Sequence, residues 1–409
     1  MSFDGLRELF DTVNRNRLRT ALTALSVAWG IFMLVILLAA GTGLERGVAH
    51  NFRDDAVNSI WIRPGKTSLP HAGHTPGRSV QFTNDDMAAV SRSVSGIEHI
   101  TGRFYLWGEY FVSYGQEHGS FDIRGCHPDH RYLEKTLMLA GRFIDDLDIE
   151  KRRKVAVIGP EVRTALFKGK DPLGEYVKIR GVNYRVVGVF EDEGGQNELR
   201  KIYIPISTAQ LVYHGADRLH HIMYTVGDAS TEASERMVAE TRALLARRHD
   251  FSPQDRRAVN IQNNLQEFQR IKQIFDWIRA FVWIVGIGTI FAGVVGVSNI
   301  MLISVQERTK EIGIRKAIGA TPWSIVSSIL QEAVLVTSAA GYSGLVAGVA
   351  LVEFVSKTIP ENDYVRNPEV DLRMALVATF ILVACGALAG LVPAVRAARV
   401  KPVVAMREE

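Results

Sequence analysis

The chain has 409 residues, a hydrophobic fraction of 47% and a formal net charge of +4. That length admits two or three domains, and the small charge, with its basic residues gathered beside uncharged runs, excludes a nucleic-acid footprint. Cys126 and Cys385 fall in different regions, which excludes a disulfide framework and a zinc spacing.

Uncharged runs occupy residues 20–44, 280–306, 333–352 and 374–395. Each reaches the ~20 residues needed to cross a ~30 Å hydrocarbon core. The fold class expected is therefore a membrane protein with four transmembrane α-helices and a large α/β extracytoplasmic domain between helices 1 and 2. Residues 1–19 predict an amphipathic helix at the cytoplasmic interface: Phe3, Leu6, Phe10 and Val13 recur at helical spacing, away from Arg7, Asp11 and Arg15. Transmembrane helix 1 follows over 20–44. It is long and lacks a small-residue cleavage site, so no cleavable signal peptide is expected.

Residues 45–261 read as mixed α/β. Strand-like runs cover 59–63, 104–114, 154–158, 176–179, 184–190, 201–206 and 221–226. Helical patterns fit 84–94, with Asn84 as cap, 161–167 and 231–249. Pro and Gly mark a loop over 64–77, a second loop centres on 191–197, and an inserted subdomain is placed at about 125–217. Residues 262–279 then predict a stalk helix continuous with transmembrane helix 2 over 280–304. Leu265, Phe268, Ile271 and Phe275 share its apolar side and need a partner, either the segment after helix 1 or a second subunit.

Between helices 2 and 3 lies a charged stretch, 305–322. Glu311 precedes Arg315 by four residues, the favourable ion-pair order, and Ile314 shares a face with Ile318. Gly319 is a stop signal, and Thr321 caps a helix opening at Pro322. A short helix, a sharp turn and a new helix are expected. Transmembrane helix 3 is assigned to 323–353, a periplasmic loop to 354–373, helix 4 to 374–395 and a cytoplasmic tail to 396–409. Glu332, at the edge of helix 3, either snorkels to water, the reading favoured, or hydrogen-bonds inside the protein. Gly341, Gly344 and Gly348 allow close packing, within the chain or at a dimer seam. Lys and Arg flank helix 1, the 305–322 stretch and the tail, so the positive-inside rule puts both termini and 305–322 in the cytoplasm.

Residues 298–320, SNIMLISVQERTKEIGIRKAIGA in one-letter code, strongly resemble the FtsX/MacB family of ABC-transporter permeases. The likeness continues through Gly141-Arg142-Phe143, 155–159, Leu166-Phe167, 171–174, 186–189 and 202–205, which resemble the family's periplasmic core domain, and 393–402 resemble its C-terminal signature. The resemblance implies a homodimer in a bacterial inner membrane, with 305–322 as a coupling helix that docks on an ABC ATPase. Glu307, Arg308, Glu311, Arg315 and Lys316 would meet the ATPase surface, Ile312 and Ile314 would pack into it, and Gly319 would end the helix. Helix 1 begins too early to leave room for an ATPase domain, so ATP is expected to be bound by a separate subunit and the chain to need no cofactor and not to be an enzyme.

The residues support that expectation. Gly65-Lys66-Thr67 is the only Gly-Lys-Thr, and Ile60 stands where a P-loop needs glycine. His71/His74, His127/His130 and His214/His220/His221 lack a supporting ligand set and read as solvated loop histidines. No G-x-S-x-G occurs. Three roles fit the resemblance: efflux of a periplasmic substrate by mechanotransmission through an adaptor and outer-membrane channel, signalling to a cell-wall hydrolase as in FtsX-type members, and Lol-type lipoprotein release. The length of likeness to the MacB domain ranks efflux first.

Overall fold

A computed structural model describes residues 17–50, 56–106, 110–191, 199–358 and 372–400. The expected interfacial helix falls mainly on residues outside this set, as do most of the 354–373 loop and residues 401–409. The chain divides into two compact units, an α/β unit, His50–Lys272, and a helical unit made of Met1–Ala49 with Gln273–Glu409.

The α/β unit is built on an 11-stranded sheet. Its strands are β1 (Ser59–Pro64), β3 (Ile100–Tyr105), β4 (Tyr110–Tyr114), β5 (Glu117–Cys126), β6 (Leu137–Gly141), β7 (Val155–Ile158), β8 (Tyr176–Ile179), β9 (Val182–Glu191), β10 (Lys201–Pro205), β12 (His221–Thr225) and β13 (Val259–Asn263). β2 (Phe82–Thr83) pairs separately with β11 (Arg218–Leu219). The single strand-like run expected over 104–114 is two strands, β3 ending at Tyr105 and β4 starting at Tyr110.

Six strands close into a ring. β5 pairs β4, β4 pairs β8, β8 pairs β9, β9 pairs β7, β7 pairs β10, and β10 returns to β5. Closure leaves the ring without a free edge, and alternating residues such as Val112, Ile123, Val177, Val186 and Ile204 fill its interior. The ring takes strands from Tyr110 to Pro205, so it starts well before residue 125. From β5 an open arm runs through β3, β12 and β1 to β13. One face of the arm carries Ile60, Ile62, Phe104, Ile222 and Tyr224. Helices α2 (Asn84–Ser93) and α7 (Thr231–Arg248) bring Val90, Met237 and Leu245 to the same core. The cap of α2 is Thr83, one residue earlier than expected: its hydroxyl accepts from the Asp86 amide at 3.3 Å and the Asp86 carboxylate accepts from the Thr83 amide at 2.9 Å.

The opposite face of the arm is polar. There α3 (His130–Leu133) lays Leu133 against Trp61 and Met223. The short helices α4 (Asp146–Glu150), α5 (Pro160–Phe167) and α6 (Ile206–Val212) complete the unit.

The helical unit contains α1 (Arg17–His50), most of α8 (Asn264–Glu307), α9 (Thr309–Ala317), α10 (Pro322–Thr358) and α11 (Leu372–Ala398). Among the described residues three helices are long and apolar enough to cross a membrane, over Ala24–Gly47, within Asn264–Glu307 and within Pro322–Thr358. α11 contributes a shorter apolar stretch, Val383–Ala398. Small residues let the helices approach. A Cβ on Gly344 of α10 would stand 2.2 Å from the Ala28 carbonyl oxygen of α1, and one on Gly286 of α8 would stand 2.4 Å from the Leu34 side chain. Gly344 and Gly348 thus serve packing within the chain, one of the two alternatives that their spacing left open.

Candidate functional site

The charged stretch between α8 and α10 forms a rigid elbow. α8 stops at Glu307, Arg308 turns with φ −100° and ψ 13°, and α9 occupies Thr309–Ala317. Gly319 adopts φ +103°, a conformation that costs glycine nothing. The Gly319 amide donates to the Lys316 carbonyl at 3.1 Å and the Ala320 amide to the Arg315 carbonyl at 3.0 Å, which completes a Schellman stop. Two residues on, the Ser324 amide donates to the Thr321 hydroxyl at 3.3 Å, so Thr321 caps α10 and Pro322 opens it.

Two side chains tie the elbow to the rest of the helical unit. Lys316 Nζ donates to the carbonyls of Ala398 at 2.5 Å and Val400 at 2.8 Å, where the end of α11 leaves acceptors unsatisfied and carries partial negative charge. Arg308 pairs with Glu332 of α10 at 3.6 Å. The Glu332 carboxylate is thus answered inside the protein, not by snorkelling alone. Ile312 also turns inward and packs against the cluster that holds Val305, Ile325 and Ile329. The residues expected to meet a partner therefore separate. Glu307, Glu311, Ile314 and Arg315 are exposed, and Ile318 joins them at 82% exposure. Ile312 and Lys316 are committed within the chain, and Arg308 is half-buried. Ile312 and Ile314 lie about 200° apart on a helix of 3.6 residues per turn, so they cannot share a contact face.

The stalk residues also divide. The start of α8 is pinned in the α/β unit, where Asn264 Nδ2 donates to Ser59 Oγ at 2.9 Å and Asn263 Nδ2, at the end of β13, to Ser234 Oγ at 2.8 Å. Leu265 packs on the core of that unit, and Phe268 and Ile271 are half-buried. Phe275 lies in the helical unit, buried beside Leu37, Leu38 and Gly41 of α1, and one turn further on Arg279 pairs with Glu45 at 2.6 Å. The partner of Phe275 is thus the last turns of helix 1 itself, not the segment after it, while Trp277 and Phe281 stay exposed. The 44 residues of α8 span about 66 Å without a proline break.

Of the expected loop histidines, His71, His74 and His214 are exposed in turns, and the others are not. His130 is fully buried on α3, and His220 and His221 flank or form β12. Burial drives His127 and His130 down to about 4. Among the described residues no His, Cys, Asp and Glu group is arranged to hold a metal. What sequence reasoning missed is the setting of His130: a buried Glu134 that gathers three cations. The i,i+4 spacing of His130 and Glu134 was its only local signal.

Residues 20–241 match the MacB-like periplasmic core domain, and residues 283–402 match the FtsX-like permease C-terminal domain. The chain belongs to the FtsX/MacB family of permeases. It is 29% identical over 98% of its length to a protein named macrolide export ATP-binding/permease protein MacB from Chlorobaculum tepidum, covering 61% of that protein. It is 30% identical over its whole length to one named pyoverdine export ATP-binding/permease protein PvdT from Pseudomonas syringae pv. syringae, covering 60% of it. The chain thus spans about three-fifths of the length of the curated relatives it matches. Of solved structures, the periplasmic region of MacB from Actinobacillus actinomycetemcomitans is similar over 55% of this chain and 97% of that one, at 21% identity and a TM-score of 0.44. The family's permease architecture, with an MacB-type core domain set between membrane helices, is thereby that of this chain.

Proposed function

We propose that this permease couples ATP hydrolysis on a separate ABC ATPase subunit to movement of its MacB-type domain, driving efflux of a periplasmic substrate by mechanotransmission. The observation that carries the reading is α9. A helix of nine residues is stopped at both ends, tethered through Lys316 and Arg308, and yet leaves Glu311, Ile314, Arg315 and Ile318 facing outward. Such a face transmits a push because its own frame cannot yield first. The names of the relatives support the ATP and export parts of the reading: they join an ATP-binding function to a permease in one protein.

In the same reading α1, α8, α10 and α11 are four membrane spans of an inner-membrane homodimer. Both termini and α9 face the cytoplasm and the α/β unit faces the periplasm. Adaptor and outer-membrane channel complete the export route. A cysteine in place of exposed Lys170 would react with an impermeant thiol reagent in intact cells, and one in place of Lys310 would be shielded; the reverse pattern overturns the orientation. For the coupling itself, Glu311→Lys inverts a charge on the exposed face without touching either tether. Reconstituted with the ATPase, it is expected to lower ATPase association or stimulated ATP turnover severalfold while thermal stability is unchanged. Full stimulated turnover in this variant overturns the role of α9.

A further inference from the structure

The polar face of the open arm carries its charges in a fixed order. Alternation along each strand puts Trp61 and Arg63 of β1, His221 of β12, Arg103 and Tyr105 of β3 and Arg124 of β5 on the face opposite the apolar core. Register brings them side by side. His221 stands opposite Arg103, and Tyr105 opposite Arg124. Arg63 follows Ile62, whose partner is Ile222, and so comes beside His221. Aromatic rings alternate with the guanidiniums: Arg63 and Arg103 lie 5.7 and 5.1 Å from the Trp61 ring, and Arg103 and Arg124 lie 5.5 and 5.8 Å from the Tyr105 ring. The result is a ladder of cation and ring across four strands.

Glu134 closes the deep end. Its carboxylate accepts from Arg103 and from the Tyr203 hydroxyl, from Arg124 at 3.0 Å and from Lys201 at 3.2 Å, with His130 Nε2 at 3.2 Å. Asp122, at the rim, takes Arg124 at 2.7 Å. Two carboxylates thus face four permanent cations, Arg63, Arg103, Arg124 and Lys201. The histidines add no positive charge at neutral pH: burial, with Arg103 and Arg63 beside it, drives His221 to about 3. Arg63 has no carboxylate in ion-pair reach among the described residues, and its Nε is buried without an acceptor, as is Arg103 Nε. Buried donors are almost always satisfied, and an excess of desolvated cations is costly unless an anion answers it. Arg63, Tyr105, His221 and Arg124 are each partly exposed, so the ladder is open to solvent along one side.

We infer that this ladder is a binding site for an oxyanion, a carboxylate or phosphate group carried by a soluble molecule that reaches the α/β unit, with Arg63 as its principal donor. Planar guanidiniums offer paired N–H groups to such an anion, and the Trp61 and Tyr105 rings hold them in position. The site concerns the α/β unit alone and stands apart from the coupling reading of α9.

The test uses the full chain in dodecyl maltoside, which carries no phosphate headgroup. Inorganic phosphate and, separately, succinate are titrated at constant ionic strength against chloride while the thermal midpoint is read. A saturating rise is expected for at least one anion, and the one that saturates lower names the group recognised. Arg63→Gln, outside the Glu134 network, is expected to weaken the apparent affinity by roughly tenfold or more. Arg63→Lys should restore part of it, and Arg92→Gln, exposed on α2, should leave it unchanged. A rise that never saturates, one that Arg63→Gln leaves intact, or no response of the unaltered chain to either anion overturns the proposal.

Discussion

The two units solve the same problem, a charge away from bulk water, in opposite ways. In the α/β unit Glu134 sits at the centre of a sheet face, and side chains from β3, β5, β10 and α3 converge on it. The helical unit also uses side-chain pairs, such as Arg308 with Glu332, but at Lys316 a backbone terminus supplies the partner: its ammonium bonds the carbonyls at the end of α11. The difference follows from geometry. A twisted sheet brings neighbouring strands about 4.8 Å apart, so residues far apart in sequence meet across it. A helix satisfies its own backbone everywhere except at its ends, which makes the ends the places where a cation is stabilised without a second charged side chain.

The largest effect expected from this contrast is at Glu134. Glu134→Gln leaves Arg103 and Lys201 buried without their carboxylate and should destabilise the α/β unit by about 3–5 kcal/mol. Urea unfolding followed by hydrogen exchange of residues 50–272 checks it, and a loss under 1 kcal/mol would mean that the cluster tolerates uncompensated cations. Acid comes next. All eleven histidines lie in residues 50–272. His127 and His130 have their pKa lowered from 6.5 to about 4 by burial, so the unfolded chain binds protons first. Stability from these groups is full above pH 6.5 and is lost as pH falls toward 4. Hydrogen exchange should show the α/β unit loosening over that window while the helical unit holds, and His130→Asn should flatten the dependence. Equal loosening of both units would break the comparison. The smallest effect is at Lys316→Met, where two hydrogen bonds to carbonyls are lost at a half-buried site, about 1–2 kcal/mol. Its signature is local: faster exchange at the end of α11, with the α/β unit unchanged.

The elbow was legible because its signals are local. Gly319, Thr321 and Pro322 act within a few residues of themselves, and the φ of +103° and the cap at Thr321 follow from their chemistry. The apolar runs were legible for the same reason: crossing a bilayer demands a continuous property of the sequence. The strand run over 104–114 was half legible, since β-propensity continues through a point where the chain leaves the arm at Tyr105 and enters the ring at Tyr110. The role of Ile312 was misjudged because two apolar residues in one short helix look alike until the core fixes which side is inward.

By itself, then, the sequence determined the long apolar helices, the unbroken α8, the stopped and capped elbow and the family to which the chain belongs. All of these rest on contiguous residues, where composition, period and turn chemistry act at short range. Only the tertiary structure decided which elbow residues are exposed, that Glu332 answers Arg308, that Phe275 packs on α1, and that four cations gather around Glu134 and Trp61. Those outcomes depend on strand register and helix rotation. Each is set by the packing of the whole unit, and neither leaves a mark at any one position in the chain.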